Sequence, residues 1–124
     1  MTEPRKKRIL VAEDDPSIST LLERVLRSEF EVTVVTNGKQ ALSLAQTSPP
    51  DLLLLDVMMP GLDGLEVAKR ARAMPNLKRI PIIFITAKDG SMDVIRGIQH
   101  GARHYITKPF KIDDLLQKVR KAIA

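Results

Sequence analysis

A run of four leucines, residues 52–55, ends at a single carboxylate, Asp56. Turn-forming prolines and glycines flank the run on both sides. A short apolar run between turn residues is typical of a strand that is buried on both faces of a sheet. A carboxylate at the end of such a strand is costly unless it is solvated, paired or bound to a metal ion. The pattern therefore predicts a central strand with Asp56 at the edge of the sheet.

The spacing of apolar residues predicts four further strands and five helices. Short apolar or β-branched runs indicate strands at residues 8–12, 31–36, 80–86 and 104–107. Apolar residues that recur at intervals of three and four indicate helices at residues 16–26, 39–46, 64–74, 91–100 and 111–122. Asp15 is expected to cap the first helix, and Pro16 suits its first turn. Because strand and helix alternate five times, we expect βαβ units and a parallel sheet with helices on both faces.

Length and composition are those of one ordinary globular domain. The chain has 124 residues, of which 44% are hydrophobic and 28% are charged. It has no cysteine, which excludes disulfides and thiolate chemistry and fits a reducing cytoplasm. No apolar run approaches the ~18 residues of a membrane helix, and the first apolar run is too short for a signal peptide. We therefore expect a cytoplasmic protein with no membrane partner.

The first residues are basic and carry Arg5, Lys6, Lys7 and Arg8, within a net charge of +5. They are interpreted as a solvated, flexible tail in preference to a nucleic-acid-binding arm. Residues 1–7 are accordingly predicted to be the tail, and residues 8–124 the folded domain. The pattern ends with the fifth helix, so neither a second domain nor direct DNA binding is expected.

Polar side chains stand at the carboxyl ends of most predicted strands. Glu13 and Asp14 follow the first strand, Asp56 ends the third, Thr86 ends the fourth and Lys108 follows the fifth. Ligands of open parallel sheets bind at this edge. If the first and third strands are neighbours, the three carboxylates converge on one place.

The predicted cluster has the chemistry of a metal-assisted phosphoryl-transfer site. Like charges at close range raise one another's pKa unless a cation joins them. Two or three carboxylates with room for water favour Mg²⁺ over a caged Ca²⁺. One carboxylate can then act as a nucleophile and form an aspartyl phosphate, while the lysine and the metal neutralise the transferring oxygens. A threonine hydroxyl can donate to a phosphoryl oxygen.

Four motifs make the chain similar to a known family. They are I-L-V-A-E-D-D-P, L-L-L-L-D-V-M-M-P-G-L-D-G, I-I-F-I-T-A and Y-I-T-K-P-F, in this order and at the family's spacing over about residues 7–123. The sequence resembles the receiver domain of two-component response regulators, typified by the bacterial chemotaxis regulator. The resemblance implies a doubly wound, flavodoxin-like α/β fold with five parallel strands in the order 2-1-3-4-5 and helices on both faces.

The resemblance also implies a role for each residue of the candidate site. Asp56 is similar to the phospho-acceptor, and Glu13, Asp14 and the backbone carbonyl of Met58 are similar to the other protein ligands of Mg²⁺. The family's switch residues correspond to Thr86, to the small residue Ala87 and to the aromatic Tyr105. Lys108 is similar to the family's lysine, and a cis peptide bond is expected before Pro109.

The function that the resemblance implies is signalling rather than turnover of an external substrate. The expected phosphate donor is a histidine on a separate kinase or phosphotransfer protein, and the domain catalyses only its own phosphorylation and dephosphorylation. Phosphorylation is expected to change the face made by the fourth helix, fifth strand and fifth helix. That face would control the binding of a downstream protein partner.

The sequence lacks features that two other functions of such a site or fold would need. An aspartyl phosphatase usually carries a second Asp two residues after the first, where this chain has Met58. A flavin or nucleotide binder would need a phosphate-cradling loop such as G-x-x-x-x-G-K-S/T or G-x-G-x-x-G, and neither occurs. A receiver-like interaction module that needs no phosphate stays as the alternative function. The apolar Met58 also predicts slow hydrolysis of a phosphoryl group on Asp56.

Overall fold

All five predicted strands are present in the computed structural model, which describes residues 6–59, 61–87 and 104–124. They are β1 (Arg8–Ala12), β2 (Glu31–Val35), β3 (Leu52–Asp56), β4 (Ile82–Ala87) and β5 (His104–Lys108). The helices of the described part are α1 (Pro16–Leu26), α2 (Gly38–Thr47), α3 (Gly64–Arg72) and the C-terminal helix (Ile112–Ile123). The strands form one parallel sheet in the order β2-β1-β3-β4-β5. The doubly wound fold and its strand order are confirmed.

The four leucines of β3 explain why the sheet has a helix layer on each face. Successive side chains of a strand point to opposite faces. Leu53 and Leu55 therefore join the core under α2 and α3, while Leu52 and Leu54 join the core under α1 and the C-terminal helix. All four are 0% exposed. Full burial of each contributes about 1.5–3 kcal/mol, so this central strand anchors both layers.

The parallel register brings the carboxyl ends of the strands to one edge, here called the carboxyl edge. Ala12 pairs with Leu55, so Glu13, which follows β1, lies level with Asp56, the last residue of β3. Ala87 pairs with Lys108 in the same way on the other side of the sheet. The opposite edge, where the strands begin, is called the amino edge.

Side-chain caps fix the starts of three helices at the carboxyl edge. Asp15 accepts a hydrogen bond from the Ser17 N–H at 3.0 Å, which confirms the predicted cap of α1. At the start of α2 the Asn37 side-chain oxygen accepts a hydrogen bond from the Gln40 N–H at 2.8 Å. At the start of α3 the Asp63 carboxylate accepts one from the Glu66 N–H at 2.9 Å. Each cap satisfies an N–H that has no partner inside its helix.

Two boundaries differ from the sequence prediction by two residues, each for a local reason. β4 begins at Ile82 rather than residue 80, because Pro81 has no N–H for the ladder, although its carbonyl accepts a bond from β3 at 3.0 Å. α3 ends at Arg72 rather than residue 74, because Ala73 and Met74 donate to carbonyls three residues back and close the helix with a tighter turn. The other described elements agree within one residue. The predicted helix at residues 91–100 lies outside the described residues.

The described segments contain no candidate for a membrane-spanning helix. None of them combines the length and the apolar character that a bilayer crossing requires.

Candidate functional site

Three carboxylates meet where β1 and β3 end. Glu13 directly follows β1, and its N–H donates to the Val35 carbonyl at 3.0 Å, which holds it at the edge of β2. Asp56 is the last residue of β3. One oxygen each from Glu13, Asp14 and Asp56 lies within 4.8 Å of the other two. The predicted convergence is therefore present.

The three acidic side chains differ sharply in their access to solvent. Glu13 is 0% exposed and Asp56 is 3% exposed, whereas Asp14 is exposed. Two of the three charges are thus held away from water, where they cost the fold stability unless a cation is near.

Lys108 supplies a positive charge opposite the acids from the end of β5. Its ammonium lies 2.9 Å from Glu13 Oε1 and 3.2 Å from Asp56 Oδ2. The Lys108–Pro109 peptide bond is cis, as expected. Lys108 belongs to β5 itself rather than following it, because Lys108 still pairs with Ala87 of β4. The lysine therefore bridges the carboxylates that end two neighbouring strands.

Backbone N–H groups hold the remaining carboxylate oxygens. The Asp15 N–H donates to Glu13 Oε2 at 3.1 Å, and the Met58 N–H donates to Asp56 Oδ1 at 3.2 Å. The contact between Lys108 and Glu13 Oε1 is close enough for an ion pair but is not aligned for a hydrogen bond. Among the described residues no group donates a hydrogen bond to Glu13 Oε1, although the atom is buried.

The electrostatics of the cluster favour protonation of one acid when no metal is bound. Burial raises the pKa of Glu13 to about 7, and the neighbouring Asp56 carboxylate adds to the rise, while Lys108 and the Asp15 N–H oppose it. Burial also lowers the pKa of Lys108, but its two acidic partners outweigh burial and the net change is a rise. The lysine is therefore charged at neutral pH, and it compensates only part of the acidic charge.

The cluster fits a hard divalent cation. All of its side-chain donors are carboxylate oxygens, the ligand type that Mg²⁺ prefers. Glu13 Oε1 is buried with an ionic neighbour but no hydrogen-bond donor, so it keeps lone pairs for a cation. The exposed Asp14 leaves one side of the cluster open to water, which Mg²⁺ usually retains.

The predicted switch residues lie on the strands beside the cluster. Thr86 is 2% exposed and pairs with Thr107 across β4 and β5. Ala87 is the last residue of β4. Tyr105 lies on β5 two residues before Thr107, and it is 39% exposed. The Lys118 ammonium donates a hydrogen bond to the Tyr105 carbonyl at 3.3 Å.

The loop after Asp56 is held by two glycines that sequence analysis did not single out for this purpose. A Cβ on Gly64 would lie 2.4 Å from the Asp56 carbonyl oxygen, and a Cβ on Gly38 would lie 2.0 Å from the Leu62 carbonyl oxygen. The starts of α2 and α3 therefore approach the loop more closely than any side chain allows. The sequence shows the glycines but not the neighbours they touch. The Met58 side chain is 71% exposed on this loop.

Comparison with known proteins agrees with this geometry. The family model described as the response regulator receiver domain matches residues 9–120. The chain is similar to the DNA-binding response regulator MtrA of Mycolicibacterium smegmatis, with 43% identity over 93% of this chain and 50% of that protein. It is also similar to the alkaline phosphatase synthesis transcriptional regulatory protein PhoP of Bacillus subtilis, with 44% identity over 92% of this chain and 47% of that protein. The chain thus spans about half the length of these curated relatives.

A solved structure resembles the whole described fold. It is the receiver domain of a sensor histidine kinase from Pseudomonas aeruginosa PAO1, with a magnesium ion coordinated in its active-site cleft. The TM-score is 0.87 at 36% identity, over 95% of this chain and 98% of that one. Together with the family model, these matches show that the chain belongs to the receiver-domain family of two-component response regulators.

Proposed function

We propose that this chain is a phosphorylation-dependent switch in which Asp56 accepts a phosphoryl group from a histidine of a kinase or phosphotransfer protein. The observation that carries the proposal is the cluster itself. Three carboxylate oxygens lie within 4.8 Å of one another, and the Lys108 ammonium lies 3.2 Å from Asp56. Such a cluster combines a nucleophile with the positive charge that phosphoryl transfer requires.

Asp56 is the best placed of the three acids to act as the nucleophile. One of its oxygens is held by the Met58 N–H and the other by Lys108. In the proposed step a carboxylate oxygen of Asp56 attacks the phosphorus as the P–N bond to the donor histidine breaks. The electron pair of that bond stays on the donor imidazole. Lys108 then neutralises the phosphoryl oxygens.

The other two acids are proposed to serve as metal ligands. Glu13, Asp14, Asp56 and the Met58 carbonyl would hold Mg²⁺, in keeping with the magnesium in the related receiver domain. When bound, the ion supplies positive charge for the transferring oxygens. Glu13 would contribute a carboxylate that gives up its proton when the ion binds, and the exposed Asp14 would leave room for water.

Phosphorylation is proposed to move the switch through Thr86 and Lys108. The group adds about −1.5 to −2 charge and three acceptor oxygens. A hydrogen bond to a charged group contributes about 1.5–3 kcal/mol, and moving a population from 1:99 to 99:1 takes about 5.5 kcal/mol. Two such contacts shift the population substantially, and a partner that binds only the active form supplies the rest. Tyr105 would rotate into the space that the Thr86 hydroxyl leaves.

The proposed output surface includes β5 and the C-terminal helix, together with the predicted helix at residues 91–100. Tyr105 and Ile112 are exposed apolar side chains of this surface, 39% and 44% exposed. They offer a downstream protein partner an apolar contact beside the switch. The absence of cysteine fits a reducing cytoplasm, and the switch is proposed to act there. Sequence-specific DNA recognition is not part of it.

A titration with Mg²⁺ and beryllofluoride, followed by NMR, tests the proposal. Beryllofluoride mimics a phosphoryl group on a carboxylate, so saturable shifts are expected around Asp56, Thr86 and Lys108. Asp56→Asn should abolish them. Asp63→Asn is the matched control, because Asn also caps a helix and the capping oxygen at 2.9 Å is retained. A wild-type chain without saturable shifts would instead be the phosphate-independent interaction module.

A further inference from the structure

The first turn of α2 contacts two segments that lead into the acidic cluster. Gly38, its first residue, lies so close to the loop after β3 that an added Cβ would be 2.0 Å from the Leu62 carbonyl oxygen. Two residues later, the Gln40 side chain reaches back to the end of β2 and contacts Thr36. This one helical turn therefore touches the loop that follows one buried acid and the strand end beside the other.

The contact between Gln40 and Thr36 consists of two hydrogen bonds. Gln40 Oε1 accepts from the Thr36 N–H at 3.2 Å and from the Thr36 hydroxyl at 3.3 Å. A backbone N–H can only donate, so the side-chain oxygen of Gln40 rather than its amide nitrogen faces Thr36. The Gln40 N–H has a different partner, because it donates to the Asn37 side chain that caps the helix. The Gln40 side chain thus ties α2 to the end of β2, separately from the cap.

A single peptide unit joins this contact to the acidic cluster. The Thr36 N–H belongs to the same peptide plane as the Val35 carbonyl, and that carbonyl accepts from the Glu13 N–H at 3.0 Å. Because a peptide unit is planar, a rotation at its N–H end moves its carbonyl as well. Hydrogen bonds that follow one another in this way also polarise and strengthen each other. The Gln40 side chain therefore helps to hold the backbone of Glu13.

The contact matters because β2 is an outer strand of the described sheet. In a trans peptide the N–H and the carbonyl point in opposite directions, so the Thr36 N–H faces away from β1, on the side where the described sheet ends. Loss of the Gln40 oxygen would leave this exposed N–H to water and release the end of β2. The Glu13 side chain is fully buried, so its carboxylate has little freedom to compensate for a displaced backbone.

We propose that Gln40 is a positioning residue of the metal site, which holds Glu13 through the 35–36 peptide at the place that Mg²⁺ binding requires. The inference rests on the proposed function, in which Glu13 is a ligand of the ion. An ion that has to order its own ligands binds more weakly than one that meets them already in place. Gln40 therefore raises the affinity for Mg²⁺, although its side-chain hydrogen bonds are to Thr36 rather than to the acids.

Two substitutions of Gln40, each with a matched control, test the proposal in the whole chain. Gln40→Met keeps the length of the side chain but removes the acceptor oxygen, and its control is Gln117→Met at an exposed position of the C-terminal helix. Gln40→Glu keeps an acceptor oxygen but adds a negative charge. Its control is Ser43→Glu, which adds the same charge at an exposed position of α2 three residues further on. Mg²⁺ affinity, urea unfolding and the NMR shift of the Glu13 amide proton are measured for every variant.

Gln40→Met is expected to bind Mg²⁺ about threefold or more weakly than the wild type and Gln117→Met. Its Glu13 amide proton should move upfield even without Mg²⁺, because the hydrogen bond to the Val35 carbonyl lengthens. Gln40→Glu should restore the amide shift and bind Mg²⁺ as tightly as Ser43→Glu.

A purely structural role of Gln40 would give a different pattern. Lower stability of Gln40→Met with an unchanged Glu13 amide shift and unchanged Mg²⁺ affinity would overturn the inference and leave the proposed function standing. So would a loss of Mg²⁺ affinity in Gln40→Glu relative to Ser43→Glu as large as that in Gln40→Met. A wild-type chain that binds no Mg²⁺ would overturn the proposed function and this inference together.

Discussion

Gly64 lies so close to Asp56 that a Cβ added to it would be 2.4 Å from the Asp56 carbonyl oxygen. The Gly64 N–H also donates to the Val57 carbonyl at 3.2 Å. The first turn of α3 is thus pressed against the backbone of the proposed phospho-acceptor. The residue that begins this helix helps to set where the Asp56 carboxylate lies.

Gly64→Ala is therefore expected to affect both stability and the acidic cluster. Overpacking of this kind typically costs about 1–3 kcal/mol in the free energy of unfolding. Mg²⁺ binding should weaken as well, because α3 and the loop after Asp56 must move apart. Urea unfolding and a Mg²⁺ titration measure the two effects.

Gly61→Asn is the control for this experiment. Gly61 has φ of +74° and nothing within 4 Å of an added Cβ, and Asn tolerates left-handed backbone better than most residues. Its stability and Mg²⁺ affinity should change little. If the two variants were equally perturbed, the close approach of Gly64 would have no special role.

Stability of the Mg²⁺-free chain is expected to fall as the pH rises. The pKa of Glu13 is about 7 in the fold against an ordinary value of 4.5. Between these values the native state binds more protons than the unfolded state, so the free energy of unfolding decreases with rising pH. Mg²⁺ binds the ionised acid, so its affinity should increase over the same range. Urea unfolding at about pH 5 and about pH 8, with and without Mg²⁺, measures both trends.

Glu13→Gln isolates the contribution of this acid to the pH dependence. The variant keeps the size of the side chain but cannot lose a proton. Its stability should depend less on pH between about 4.5 and about 7 than that of the wild type. An unchanged pH dependence would mean that Glu13 does not titrate in this range.

Removal of the Lys108 charge is expected to tighten Mg²⁺ binding. The ammonium contacts Glu13 at 2.9 Å and Asp56 at 3.2 Å, so it competes with a cation for the same oxygens. Lys108→Gln should increase Mg²⁺ affinity by about tenfold, equivalent to about 1.4 kcal/mol, when it is measured at about pH 8. The yield of phosphorylated protein should nevertheless fall, because the phosphoryl oxygens lose their counter-charge. Lys111→Gln is the control, and weaker Mg²⁺ binding in Lys108→Gln would contradict the account.

Met58 is expected to slow the loss of the phosphoryl group. Its side chain is 71% exposed beside Asp56 and has no polar group to orient an attacking water. Met58→Asn should hydrolyse its aspartyl phosphate several-fold faster, while Met58→Leu, which is also apolar, should match the wild type. Loss of phosphate after removal of the donor gives the rate. Equal hydrolysis rates in the two variants would show that the side chain at position 58 does not control the loss of the phosphoryl group.

Local and consistent signals in the sequence were sufficient to predict the strands, the helices and a parallel sheet, whereas the strand order came from the family resemblance. Residues 52–55 are apolar on both faces of a strand, and each described helix carries an apolar stripe. Once the strands are parallel and β1 adjoins β3, the meeting of Glu13, Asp14 and Asp56 follows from their positions at strand ends. The site was therefore predictable as a cluster.

Contacts between distant segments were not predictable from periodicity. Glu29, in the turn before β2, forms an ion pair with Arg120 of the C-terminal helix, although 91 residues separate them. The closer approach of Lys108 to Glu13 than to Asp56 depends on side-chain rotamers rather than on strand register. Such features arise from packing of the whole sheet.

The site of covalent labelling by acetyl phosphate in the presence of Mg²⁺ tests directly whether Asp56 is the phospho-acceptor. Peptide mapping by mass spectrometry is expected to place the phosphoryl group on Asp56, and Asp56→Asn should not be labelled. Chelation of Mg²⁺ should suppress the labelling of the wild type. A phosphoryl group found on another residue, or undiminished labelling of Asp56→Asn, would show that Asp56 is not the acceptor.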